Sequence, residues 1–209
     1  MTRSPGQVRN PRGYAATKRA IDLAVCFVAL PILLPIGLLC AVLIRLESPG
    51  QILFAQQRTG QHGVRFPMFK FRTMVQNAEE LKASLQHLNI LPAPDFKIPN
   101  DPRVTRVGKF LRKTSLDELP QVLNVIRGEM SIVGPRPTSF AASTYDLWHS
   151  ERLEVVPGIT GLWQIKGRGT MTFDERLRLD IEYIESRSTS NDLKLMVQTA
   201  LAVFKGSGV

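Results

Sequence analysis

Cysteine and histidine are nearly missing from this chain, with two of the first and three of the second among 209 residues. Both cysteines, Cys26 and Cys40, lie in one apolar stretch. If that stretch is helical, a rise of about 1.5 Å per residue holds them too far apart to bridge. A disulfide framework and a Cys/His metal cluster are therefore both excluded, which fits a reducing compartment. Acidic residues are also in deficit, 18 against 27 Lys plus Arg, for a formal charge of +9. That balance calls for an anionic partner: nucleic acid, an anionic membrane surface or a phosphorylated substrate. Internal repeats and low-complexity tracts are absent. A chain of this length suits one globular unit with an appendage rather than two full domains.

What is present begins with an uncharged run, Leu23 to Ile44. About 20 apolar residues suffice to span a bilayer core, and the run exceeds the apolar region of a signal peptide. Pro31 and Pro35 stand near its midpoint, where each removes a backbone donor and bends a helix. Lys and Arg crowd both flanks, with Arg9, Arg12, Lys18 and Arg19 before it and Arg45, Arg58 and Arg65 after it. Cytoplasmic segments carry that excess, and no second apolar run returns the chain. The expectation is a proline-broken helix that enters the membrane and comes back to the same face. A straight span and a buried core helix are the alternatives. This divides the chain into residues 1–48, a basic segment with the membrane helix, and 49–209, a cytoplasmic unit.

In the second part, "ILFAQQRTG" and "VRFPMFKFRTM" read as two strands joined by the turn-rich "GQHG". Period-two alternation puts Phe69 and Phe71 on one side, and Lys70 and Arg72 on the other, where a solvated face is the plain reading. "NAEELKASLQHLNIL" carries Leu81, Leu85 and Leu88 at helical spacing and predicts a helix. A proline-rich loop follows. Phe173, Leu177, Ile181 and Ile184 mark one further helix, and Leu193, Val197, Leu201 and Phe204 another. Core packing is the default for both, and interfacial docking an alternative for the last.

"RKTSLDELPQ" sets two acids, Asp117 and Glu118, at the start of a helix whose first turn holds Pro120 and whose end is Gly128. Ser115 and Glu118 match the S-x-x-E capping box, which would give the acids a purely structural task. Arg106, Lys109, Arg112 and Lys113 approach from the other side, however. Carboxylates, cations and free helix-end amides together suit phosphoryl transfer, in which an acid attacks or holds Mg²⁺ while cations neutralise developing charge. In "MSIVGPRP", Pro135 and Pro137 bracket Arg136 and restrict the backbone that aims it. "VPGITGLWQIKGRG" places Trp163 before Lys166 and Arg168, available for stacking on a base or for seating at a membrane interface.

In this order, "KR-x-x-D" before the apolar run, then "KFRTM", "RKTSLDELPQ", "SIVGPRP" and "PGITGLWQIKGR", the motifs resemble those of the bacterial sugar transferases, the monotopic phosphoglycosyl transferases. The likeness runs from about Lys18 to the C-terminus and is to the minimal catalytic form. It implies a helix-rich α+β fold: a re-entrant membrane helix, then a cytoplasmic α/β catalytic domain with a small β-hairpin and amphipathic interfacial helices. It implies transfer of a sugar 1-phosphate from a UDP-sugar to undecaprenyl phosphate with release of UMP. That reaction opens exopolysaccharide, capsule, O-antigen or glycoprotein glycan assembly at the cytoplasmic face of the bacterial inner membrane. By position, Asp117 matches the nucleophile and Glu118 its partner in the Mg²⁺-containing dyad, while Arg112 matches the phosphate-binding arginine. Lys70, Arg72, Arg136 and Arg168 match further basic positions. Pro35 matches the helix break; Leu34 stands where many members have serine, and Pro31 is extra. Membrane lipids are implied partners and nucleic acid is not; homo-oligomer formation stays open. The competing expectation is a basic membrane-anchored binding or scaffold protein without catalysis, which leaves the acid pair beside Arg112 unexplained.

Overall fold

The computed structural model describes residues 13–90, 96–141, 147–167 and 171–204. Helix α1 (Tyr14–Glu47) leads into strands β1 (Leu53–Thr59) and β2 (Arg65–Phe71), then helices α2 (Arg106–Thr114) and α3 (Gln121–Arg127). Strand β3 (Ser131–Val133), strand β4 (Gly158–Thr160) and helices α4 (Leu162–Lys166), α5 (Phe173–Ser186) and α6 (Thr189–Phe204) complete the order. The result is helix-rich α+β, with an antiparallel β1–β2 hairpin and a short parallel β3–β4 pair. The hairpin register runs from Leu53 opposite Phe71 to Thr59 opposite Arg65, as the two alternating segments and their glycine-rich turn predicted.

Among the described residues α1 is the one helix long and apolar enough to cross a membrane. Its secondary structure continues through Pro31 and Pro35, so the expected break is not a loss of helix. The helix lies against the rest of the chain along one stripe. Asp22, Cys26, Cys40 and Ile44 are buried, whereas Phe27, Val28, Ile32, Leu34 and Leu38 are exposed. Cys26 packs with Phe66, Met68, Val125 and Met130, and Cys40 and Ile44 pack with Phe71 and Leu111. Both halves of α1 thus seat on the same body.

Polar side chains pin those seats. Lys18 Nζ lies 2.9 Å from an Asp192 carboxylate oxygen on α6. Arg19 donates to the carbonyls of Val125 and Ile126, closing the C-terminal end of α3. Asp22 accepts from Ser131 Oγ at 2.7 Å and from the Ile132 amide at 3.2 Å. The lysine, arginine and aspartate of "KR-x-x-D" therefore each tie α1 to a different element. At the other end, Glu47 accepts from the Arg106 and Val107 amides at 2.7 and 2.9 Å, satisfying orphan donors at the start of α2.

The hairpin is fixed to α3 by Asn124, which is wholly buried. Its Oδ1 accepts from the Phe69 amide at 3.0 Å and its Nδ2 donates to the Pro67 carbonyl at 2.8 Å. One amide side chain covers the strand edge where a third strand would otherwise pair. Two expectations fail here. Residues 77–91 do not form a helix: the described part has only 3₁₀ turns at Glu80–Lys82 and Gln86–Leu88. Leu81 and Leu88 stay exposed, and a helical stripe with nothing to bury it lacks the packing that sustains a short helix. On α6 the stripe Leu193, Val197 and Leu201 also faces outward, and Leu195 is the residue that enters the core.

Candidate active site

Glycine makes the first approach possible. A Cβ on Gly108 would stand 2.1 Å from the Thr73 carbonyl oxygen, so only glycine lets α2 lie directly on the chain leaving β2. That contact puts Arg112, in the last turn of α2, within reach of Thr73, and Arg112 Nε donates to Thr73 Oγ1 at 2.9 Å. Ser115 then takes a left-handed conformation, φ 58°, and turns the chain into a 3₁₀ turn over Leu116–Glu118. Pro120 precedes α3 and Gly128, φ 83°, ends it, as predicted. The acid pair is thus held between two helices, on a turn whose neighbours Leu116 and Leu119 pack into the Phe71–Leu111 cluster.

The capping box read at Ser115 is not made. Ser115 forms no side-chain cap, and the Glu118 carboxylate is turned to two cations instead. Lys70 Nζ on β2 donates to Glu118 Oε1 at 2.7 Å, Arg136 Nη1 donates to Oε2 at 3.2 Å, and Arg136 Nη2 donates to Oε1. A capping box is made at the start of α5, between Thr172 and Glu175.

The two adjacent acids have opposite environments. Burial works to raise the Glu118 pKa, but Arg136 and Lys70 override it and hold the carboxyl far below the usual range. Asp117, 9% exposed, has no hydrogen bond to its carboxylate among the described residues. Burial pushes its pKa upward and the charge of Glu118 adds to that, against the pull of Lys70, Arg112 and Arg136. One carboxylate is clamped and fully charged; its neighbour is unclamped and more basic.

Lys70, Arg112, Asp117, Glu118 and Arg136 are thereby brought together from four elements. Arg72 is directed elsewhere: it donates to the Ser48 and Pro49 carbonyls at 2.7 and 2.6 Å and to Ser48 Oγ, tying the end of β2 to the end of α1. Arg168 lies outside the described residues. Gln121, to which the motif assigns no role, is fully buried, and neither its amide oxygen nor its nitrogen has a partner among the described residues. It leaves a neutral donor and acceptor one turn beyond Asp117. Arg152 was also missed; it bridges the Arg136 carbonyl and, at 2.8 Å, the buried Asp180 of α5. Only its cationic type hinted at this, because its partners are distant in sequence.

Among the described residues no group of three or more acid, histidine or cysteine side chains gathers to hold a metal ion. The donors on offer are the carboxylates of Asp117 and Glu118. That set fits a magnesium-like cation, which takes one or two carboxylates and completes its shell with substrate phosphate and water.

Clamped and open carboxylates thus stand together, ringed by Lys70, Arg112 and Arg136, on a turn whose leucines pack with the apolar helix α1. Residues 13–206 match the model of the bacterial sugar transferase family, and the chain belongs to that family. It is 42% identical over 197 residues to the galactosyl transferase CpsE of Streptococcus agalactiae, covering 93% of this chain and 44% of that protein. It is 39% identical over 208 residues to the exopolysaccharide production protein ExoY of Rhizobium meliloti, covering 97% and 91%. It is 39% identical over 196 residues to the UDP-glucose:undecaprenyl-phosphate glucose-1-phosphate transferase of Caulobacter vibrioides, covering 87% and 67%. The chain therefore spans less than half of the Streptococcus protein and most of the Rhizobium one.

Proposed function

We propose that the chain moves a sugar 1-phosphate from a UDP-sugar to undecaprenyl phosphate through a covalent intermediate on Asp117. The observation that carries this reading is the contrast within the acid pair, with Glu118 clamped by Lys70 and Arg136 and Asp117 unclamped. An Asp117 oxygen attacks the sugar-bearing phosphorus. The bond from that phosphorus to the bridging oxygen breaks, and UMP leaves with the electron pair. The phosphate oxygen of the lipid carrier then attacks the same phosphorus and frees the carboxylate. Splitting the transfer spares two anionic substrates a direct encounter. Lys70, Arg112 and Arg136 neutralise the diphosphate. Mg²⁺ bound by Asp117 and Glu118 would supply further neutralisation of the phosphate oxygens.

The seating of α1 supports the membrane arrangement in this reading. A bilayer core of about 30 Å would separate the ends of a spanning helix, yet Cys26 and Cys40 pack on one body. A helix that enters the apolar layer with its Phe27–Leu38 face and keeps both ends on the cytoplasmic side of the inner membrane meets both conditions. The outward stripe of α6 lies at the same interface.

The test uses the full chain and UDP-sugar without acceptor. UMP is released in a burst no larger than the enzyme concentration, and intact-protein mass spectrometry finds one phosphosugar on Asp117. Asp117→Asn loses both, since an amide is a poor nucleophile. An Asp117→Asn enzyme that still turns over removes Asp117 from this role.

A further inference from the structure

A cavity of about 220 Å³ is lined by Arg58, Arg136, Arg152, Trp163, Phe173 and Arg176 among others. Its walls are aromatic and cationic together. The Arg176 guanidinium lies 5.6 Å from the Trp163 ring centre and 5.7 Å from that of Phe173. Phe140 meets Phe173 edge-on with centres 5.6 Å apart. The cavity is also preformed. The Thr59 amide donates to the Thr138 carbonyl at 2.9 Å, and Arg65 donates to the Ser139 and Phe140 carbonyls at 3.0 and 3.1 Å, so the hairpin fixes the wall that Phe140 stands on.

Size and chemistry limit the occupant. Pockets that enclose a drug-sized ligand measure about 300–1,000 Å³, so this one takes part of a nucleotide sugar and not the whole. A sugar ring, all hydroxyls, calls for carboxylate and amide acceptors, but the one acid in the lining, Asp180, is paired with Arg152. Guanidinium planes and aromatic rings suit a flat base with an anionic tail. Arg136 belongs both to the cavity and to the grip on Glu118, so a ligand here has its phosphates at the acid pair.

We propose that this cavity holds the nucleoside half of a nucleoside diphosphate substrate, with the base against the Trp163–Arg176–Phe173 wall and the phosphates toward Arg136. The assignment rests on the transferase reading above and adds the residues that recognise the leaving nucleotide. Calorimetric titration of the full chain in detergent with UMP, pyrophosphate and galactose 1-phosphate tests it. UMP binds the unmodified protein at least about tenfold more tightly than pyrophosphate, the scale of one base stacked on an aromatic ring. Trp163→Ala removes that advantage and leaves pyrophosphate binding unchanged, and Trp163→Phe restores most of it. Arg176→Gln, which removes the guanidinium packed over Trp163 and Phe173 in that wall, lowers UMP affinity in the same way. With the UDP-sugar that forms the Asp117 adduct, KM rises by a similar factor in Trp163→Ala while kcat stays within about twofold. Equal affinity for UMP and pyrophosphate in the unmodified protein overturns the assignment, as does a loss in Trp163→Ala confined to galactose 1-phosphate. Adduct formation with UMP affinity indifferent to both substitutions refutes the cavity and keeps the transferase; Trp163-dependent UMP binding without any adduct does the reverse.

Discussion

Glu118→Gln keeps the shape of the side chain and removes the charge that two cations share. Lys70 Nζ stands 2.7 Å from Oε1 and Arg136 Nη1 3.2 Å from Oε2, with side-chain exposures of 19% for Lys70, 13% for Glu118 and 21% for Arg136. Removing one partner of a fully buried pair costs about 3–5 kcal/mol because the other charge is left without compensation. Here the residual exposure lets water screen part of the loss, which brings the expected cost to about 2–3 kcal/mol. For a chain of this size about 1 kcal/mol moves Tm by about 2–4 °C, so Glu118→Gln melts about 5–10 °C below the parent. The measurement is thermal unfolding at one scan rate in one detergent. A double-mutant cycle then isolates the pair: Lys70→Met with Glu118→Gln is less destabilised than the sum of the singles by at least about 1 kcal/mol. A Glu118→Gln protein melting within 2 °C of the parent, or strictly additive singles, would mean that the clamp contributes nothing and that Asp117 and Glu118 are not differentiated as described.

Arg112→Lys keeps the charge but loses the bond to Thr73 and the planar fork that matches phosphate oxygens, so UMP release slows by about tenfold or more; parental turnover would make Arg112 a surface charge. Cysteines placed at Ala16 and Leu46, both exposed near opposite ends of α1, share one fate with an impermeant maleimide in intact cells, protected until the membrane is permeabilised. Labelling of the Leu46 position alone would show a span. Pro31→Ala with Pro35→Ala lowers activity in cells by stiffening the helix; full activity would remove the prolines from the argument. Asp180 is pushed up to about 6 by burial, against the pull of Arg152 and Arg176. Its proton is held in the folded state between the ordinary carboxylate range, about pH 4, and pH 6. That stabilisation is full below the window and lost as pH rises through it, about 3 kcal/mol in all. Asp180→Asn flattens the dependence of Tm on pH from 4 to 6, and equal slopes in both proteins would refute the burial argument.

The elements legible in the sequence are those whose cause is local. The hairpin follows from alternation around a glycine-rich turn, and α3 from Pro120 before and Gly128 after. The misread segments share one failing: a helical stripe is local, but its partner is not. Leu81 and Leu88 have the spacing of a helix and nothing to pack against. On α6 the roll is set by Asp192, whose carboxylate accepts from Tyr14 at 2.8 Å, Tyr183 at 2.7 Å and Lys18 at 2.9 Å. With that polar anchor facing inward, Leu195 follows it into the core and the longer apolar stripe is turned out.

The site divides along the same line. That Asp117 and Glu118 stand next to each other beside Arg112 is legible, because one short turn carries them. Which acid is clamped is not, because the clamp comes from Lys70, 48 positions before Glu118, and Arg136, 18 after it. Adjacent residues on a tight turn point in different directions, so only one of the two can reach that pair of cations. Had β2 been shifted by a single residue, Lys70 would have been carried to the other face of the strand. The Asn124 bonds to Phe69 and Pro67 fix β2 against α3, on either side of Met68. An asparagine outside the acid pair thereby helps to set which carboxylate is neutralised and which stays unclamped.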